Sequence, residues 1–418
     1  MNDVLSLQEL PDGLPSGGKL GAHNWRPPRS GLRSTARYVA SHSTVRPNLS
    51  LASRSGRVGG RNRWRRLNRA RVTPAKVAEM TSTSELPWVE PGAFEVAPAV
   101  FRVPLPLPND GLRAVNVYII VTDVGLVCID AGWAIPESRA LFGDALASLG
   151  FTLADITRFL VTHVHRDHYT QAVYVRREVG SRVGLGAGEK PILDLLQDPS
   201  RHPLMAQVER LRESGAATIA DRVQGTFGDH VADPSQWESP DEWLRQGPVE
   251  LSGRTLEAVE TPGHTAGHLV FHDLDARLLF AGDHVLSTIT PSIGFEPVMT
   301  ANPLGAFLTS LALVRSRPDA VLLPAHGPVT ASVHARIDEL LVHHRRRLEA
   351  TEAAVHSGAV HAYEVGGALR WTRREHRLSD LDTFNAMLAV LETGAHLDLL
   401  VTQGRLKVTV VDGIRGYA

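Results

Sequence analysis

A chain of 418 residues with 43% hydrophobic and 21% charged content can bury a large core, which excludes disorder throughout and leaves room for one large domain with an appendage or for two to three domains. The overall charge is −1, but residues 1–79 carry 15 Lys+Arg against 4 Asp+Glu and the remainder 29 against 41, so a basic segment precedes an acidic body. The single cysteine, Cys128 in LVCID, excludes any disulfide within the chain and reads as a small buried thiol.

Residues 1–80 are rich in Arg, Ser, Gly and Pro, with RVGGRNRWRRLNRAR the densest basic run and no sustained period of 3.6 or 2. This segment is expected to be disordered and dispensable. It reads as a nucleic-acid tail, a transit-like peptide, or an upstream stretch before a start at Met80. There is no apolar signal region and no uninterrupted apolar run of about 18 residues, so a cytoplasmic chain without a membrane partner is the expectation.

From about residue 94 the texture turns β-rich. VNVYIIVTD and GLVCIDAG are two short strands joined across 123–125 as a hairpin, and ESRALFGDALASLG has helical spacing. TRFLVT reads as a buried strand. RVGLG, RTLEAVETP, LVFHDL, RLLFAGD and AVLLPAHG follow as further strands, with helical patterns near 189–197, 203–214 and 303–316. Strands alternating with helices predict a layered α/β domain over about 94–330. Residues 200–248, amphipathic and then Gly-, Pro- and Trp-rich, interrupt the series as surface decoration or as a lid. Residues 335–418 are mostly helical and end in a strand-like RLKVTVVDG, a pattern similar to a small winged-helix-like domain.

The metal-type residues sit where strands stop. In VTHVHRDHYTQ, His163 and His165 are two apart at a strand end and turn toward one point, while Asp167 and His168 continue into a turn and helix and face a second point. His264 in TPGHTAGH, Asp283 in AGDH and His326 in PAHG each follow an apolar strand beside a glycine, where a metal or substrate can approach the backbone closely. Seven such residues predict a two-metal site. Asp130 in IDAG is read as orienting a ligand histidine, His268 and His284 as structural or supporting, and His343 to Arg347 as a solvated helix face.

THVHRDH, TPGHTAGH, AGDH and PAHG, with IDAG upstream, resemble the motifs of the metallo-β-lactamase superfamily over about residues 95–330. The resemblance implies a four-layer αβ/βα sandwich with a dinuclear site at one edge of two facing sheets. It implies His163, His165 and His264 on one metal, Asp167, His168 and His326 on the other, and Asp283 bridging both. The GDHVLSTITPSIG stretch and the helical C-terminus resemble the branch with an appended winged-helix-like domain, related to hydroxyacylglutathione hydrolases and to an endoribonuclease. Where that branch has D-H-x-G-G, this chain has Tyr169, Thr170 and Gln171 after His168, which is expected to place bulk in the pocket floor.

Two divalent cations, zinc by donor type but with iron or manganese open, would turn a bridging water into hydroxide near pH 7. Asp167 would orient that water and pass its proton, and Tyr169 or Asn116 would hold the oxyanion. The acidic body favours a small thioester, lactone or related ester; an endoribonuclease with RNA as partner is the alternative, and a metal-bound binding module is a third reading. β-Lactam hydrolysis is not expected. A homodimer is compatible with the C-terminal segment.

Overall fold

The computed structural model describes residues 88–418 apart from 109, 202–203, 229–232 and 373, so the expected disorder of residues 1–80 lies outside the described residues. Strands β1 (Phe94–Ala97), β2 (Val100–Pro106), β3 (Ala114–Val121), β4 (Leu126–Ile129), β5 (Ile156–Val161), β6 (Arg182–Gly186) and β7 (Glu242–Leu244) form one sheet in sequence order. Its first four strands are antiparallel, including the β3–β4 hairpin; β4 to β7 run parallel. The first two parallel pairs need crossovers, supplied by α1 (Pro136–Ser148) and α2 (Arg166–Val179), the latter stopped by Gly180 in the left-handed region at φ +75°.

A second sheet holds β8 (Gly247–Leu251), β9 (Arg254–Glu260), β10 (Leu269–Asp273), β11 (Leu278–Gly282) and β12 (Val321–Pro324), an antiparallel meander whose last pair is parallel through α6 (Pro303–Arg315). Every residue of β3 is buried because both of its faces are covered. Val115, Val117, Ile119 and Val121 face a core shared with α1, α2 and α3 (Lys190–Leu196), whereas Tyr118 and Ile120 point between the sheets, against Phe280 and Leu323 of the second. The outer face of the second sheet is covered by α4 (Met205–Glu213), α5 (Ala217–Phe227), α6, α7 (Val333–His356), α8 (Ala362–Ala368) and α9 (Thr383–Thr402). Helices, sheet, sheet and helices make the four layers.

The stretch 200–248 departs from its expected reading as decoration or lid. Its end is sheet, because β7 closes the edge of the first sheet and β8 opens the second. Its helices α4 and α5 pack on α9, in one hydrophobic cluster that also takes in Leu279, Phe307, Ile337 and Trp371. The two long C-terminal helices and the hairpin β13 (Val408–Val411) and β14 (Ile414–Tyr417) follow the order read from the sequence, but they share this core instead of enclosing one of their own. Among the described residues α9 alone is long and apolar enough to cross a membrane, and 78% of that stretch is buried by its neighbours in the fold. Its apolarity is that of a core helix.

Candidate metal centre

The strand ends bring all seven proposed ligands to one edge of the sandwich. His163 lies just beyond β5, His165 caps α2, and Asp167 and His168 occupy the first turn of that helix, where the partial positive charge of the N-terminus favours a carboxylate. His264, Asp283 and His326 follow β9, β11 and β12.

The donor atoms fall into two groups. His163 Nε2 lies 3.0 Å from His165 Nδ1, which lies 3.2 Å from His264 Nε2, and the latter is 3.5 Å from Asp283 Oδ2. In the second group Asp167 Oδ2 stands 3.5 Å from His168 Nε2 and 3.4 Å from His326 Nε2. Asp283 joins the two, its Oδ1 being 3.7 Å from His168 Nε2 and 3.4 Å from His326 Nε2. Donors about 2.0–2.2 Å from a common cation sit at such mutual separations. His168 Nε2, His326 Nε2 and Asp283 Oδ1 are buried without hydrogen-bond partners, a costly arrangement unless something else satisfies them. The residues present fit a pair of cations.

The far side of each imidazole is already fixed. His168 Nδ1 donates to Asp130 Oδ2 at 2.9 Å, His264 Nδ1 to the Ser292 carbonyl at 2.8 Å, and His326 Nδ1 to the Ala114 carbonyl at 2.7 Å. His165 Nε2 donates to Glu296 Oε1 at 2.5 Å. Thr162 Oγ1 donates to Asp130 at 2.9 Å and lies 3.1 Å from His163 Nδ1, so it accepts that ring's proton. With one nitrogen of each ring committed to a partner, the other faces the gap. Asp130, at φ +58° in a region that Asp visits more readily than most residues, bonds His168 directly, where the sequence reading expects it to orient one ligand histidine, and reaches His163 through Thr162. His268 is likewise a support: its Nδ1 pairs with Thr261 Oγ1 at 2.9 Å and its Nε2 accepts the Asp283 N–H at 3.1 Å.

The electrostatics follow from crowding. Burial, reinforced by His168, His165 and His264, holds His163 well below the usual histidine value, and burial beside His165 brings His264 down to about 4. Burial also works against charging His168, but Asp167, Asp130 and Asp283 outweigh it and hold that ring well above its usual value. Burial disfavours the carboxylates of Asp167 and Asp283, yet the facing imidazoles keep both below the ordinary range.

Two expected oxyanion donors lie elsewhere. The Tyr169 ring is buried on the far face of α2, stacked near Trp237, with its hydroxyl donating to the Glu238 carbonyl at 2.5 Å. Asn116 is fully buried and its amide donates to the Pro324 and Gly327 carbonyls, bracing the His326 turn, while its oxygen accepts from Arg102. Neither has a donor left for substrate. Nor do the residues after His168 fill the pocket floor: Thr170 accepts the Ala134 N–H and Gln171 donates to the Ala131 carbonyl, so they brace the Asp130 turn. His343 to Arg347 is not one solvated face, since His344 is fully buried and Arg347 lies 3.9 Å over the Trp371 ring.

Glu296 is the supporting residue that sequence reasoning missed, because it lies in a loop without strand or helix periodicity. That loop is clamped from two sides. Arg210 of α4 donates to the carbonyls of Gly294, Phe295 and Glu296, and Gln207 to that of Phe295. Behind it Gly294 presses on α9, where an added Cβ would stand 3.0 Å from the Leu391 carbonyl.

A family model described as the metallo-beta-lactamase superfamily matches residues 110–326. Among curated proteins, the chain is 25% identical over 279 residues to the atrochrysone carboxyl ACP thioesterase nsrC of Aspergillus novofumigatus, spanning 66% of this chain and 68% of that protein. It is 26% identical over 236 residues to the beta-lactamase-like protein 2 homolog of Caenorhabditis elegans, spanning 56% and 63%. Among solved structures, a metallo-beta-lactamase family protein from Thermus thermophilus superposes with a TM-score of 0.63 at 26% identity, covering 77% of this chain and 99% of that one. A beta-lactamase domain protein from Burkholderia ambifaria gives 0.63 at 25% identity, covering 80% and 97%.

Proposed function

This chain belongs to the metallo-beta-lactamase superfamily, and we propose that it is a hydrolase of a small thioester, lactone or related carboxylic ester that works with two divalent cations. The observation that carries the reading is the convergence of seven donors on one gap with three buried polar atoms left unpartnered there. His163, His165 and His264 would hold one cation and Asp167, His168 and His326 the other, with Asp283 shared between them. Zinc suits this imidazole and carboxylate set. Bound there, the cations would supply Lewis acidity that lowers the pKa of water toward neutrality and polarises a carbonyl.

The residues of the chain do the rest. Asp167 is held as a carboxylate and keeps 13% of its side chain exposed, so it has both the charge and the access to orient water and carry its proton toward the leaving group. Glu296 and Asp130 hold His165 and His168 in place through proton-accepting bonds. The shallow depression beside His264 is lined by Gly263, Thr265, Glu296, Val298, Met299 and Thr300, with no Arg or Lys among its lining residues. A neutral acyl group suits such a mouth better than a phosphodiester, whose charge calls for cationic side chains. The acyl carrier protein thioesterase named among the relatives supports the same bond class.

A turnover screen of zinc-loaded protein against acyl-CoA, acylglutathione, acyl carrier protein thioesters, lactones, phosphodiesters and RNA tests this. Hydrolysis of at least one thioester or lactone, insensitive to salt, is expected. Salt-sensitive RNA cleavage with no ester turnover would replace the reading with a nuclease.

A further inference from the structure

A second group of metal-type side chains lies outside the candidate centre, where α7 crosses α9. Glu392 and His396 are four residues apart on α9 and so share one face of it; His344 meets them from α7. All three are buried, at no more than 1% exposure. One potential ligand atom of each lies within 4.8 Å of the others.

The bonding around these groups is incomplete in a specific way. His396 Nδ1 donates to the Glu392 carbonyl at 2.9 Å, which leaves its Nε2 unprotonated and aimed at His344 Nδ1, 3.4 Å away. That spacing is long for a hydrogen bond and matches the 3.0–3.7 Å donor separations of the centre described above. Both carboxylate oxygens of Glu392 are buried without a partner, as is His344 Nε2. A protonated Glu392 donating to an imidazole would satisfy the cluster without any ion, but no such bond is formed. Arg347 is the nearby positive charge, and the Arg370 carbonyl and the Trp371 ring are among its partners.

We propose that His344, Glu392 and His396 bind a third divalent cation, zinc by donor set, which clips α7 to α9 and takes no part in the hydrolytic chemistry. Two neutral imidazoles and one carboxylate are a common zinc set, and water would complete the coordination. The site lies in the cluster that packs α4, α5 and α6 as well, so the ion would tie down the layer on which the Glu296 loop rests.

Crystals of the full chain grown with excess zinc, measured by anomalous scattering at the zinc edge, test the proposal directly. A peak between His344, Glu392 and His396 is expected, separate from those at the candidate centre; its absence overturns the third site whatever the candidate centre holds. Glu392→Gln, which keeps the side-chain volume, should remove that peak and one zinc equivalent per chain on elemental analysis. An unchanged zinc content in a folded Glu392→Gln chain would likewise overturn it.

Discussion

Asp167 and Tyr169 are two positions apart on α2 and have opposite fates. Asp167 stands in the gap among imidazoles, whereas Tyr169 points away from it into the core and spends its hydroxyl on a carbonyl. Asp167→Asn keeps an oxygen donor and removes the charge, so most of the metal should stay while turnover falls by about 10²-fold or more, the scale for losing acid–base help. Near-normal turnover in that variant would leave Asp167 as a ligand only. Tyr169→Phe removes one buried hydrogen bond, so kcat should hold while stability drops by about 1 kcal/mol in urea unfolding. A large loss of kcat at unchanged stability would return Tyr169 to the chemistry. The proposed ligands are legible because four crowd into H-x-H-x-D-H after an apolar run and His264, Asp283 and His326 each follow an apolar run beside a glycine; the groups that orient them mostly are not. The Ser292 and Ala114 carbonyls are backbone atoms 28 and 212 residues from the rings they accept from, and no side-chain pattern records that pairing.

The elements place the site by backbone approach as much as by side chains. Gly267, in the turn that carries His264, packs on the end of β6, and an added Cβ would stand 2.1 Å from the Glu189 nitrogen. Buried Glu189, its carboxyl pushed up to about 8 by burial, accepts from the Thr265 hydroxyl in that turn. Gly267→Ala should therefore push the His264 turn off β6 and weaken metal binding by about 10-fold or more in a competition with a chelator, the scale seen when a supporting contact to a ligand is lost. Metal affinity equal to the unaltered chain would show that the turn has slack. Short apolar runs bounded by turn residues make β3 to β6 and β9 to β12 readable, including the β3–β4 hairpin, whereas β1, β2, β7 and β8 are not read from the sequence. The role of α4 was not readable: its amphipathic pattern says that one face is covered, not that Arg210 reaches the Glu296 loop.

Among the described residues, burial holds His264, His268, His272, His284, His344 and His396 below the usual histidine value, and acid stability should reflect that. His272, on β10 between the His264 and Asp283 motifs, accepts from Arg317 and is brought down to about 4, by burial first and by that guanidinium second. Between pH 6.5 and about 4 the unfolded chain binds a proton that the folded one refuses. The contribution is thus fully present above pH 6.5 and is lost as pH falls through that window. In metal-stripped protein, His272→Gln should lose less of its urea midpoint between about pH 7 and about pH 5 than the unaltered chain does. Equal losses would mean that the ring is already charged in the folded state. The same scale explains why the C-terminus reads from sequence as a module of its own: helical periodicity shows an apolar face on α7 and α9, while the partner covering it comes from α4, α5 and the second sheet.

The central claim, that the gap between the two sheets hydrolyses a carboxylic ester or thioester through bound metal, is tested most directly by stripping the chain with a chelator and following thioester turnover as zinc is added back. Turnover should be lost on stripping, return as zinc is restored, and fail to return in His163→Ala and His168→Ala. A stripped chain that keeps its turnover would contradict the account.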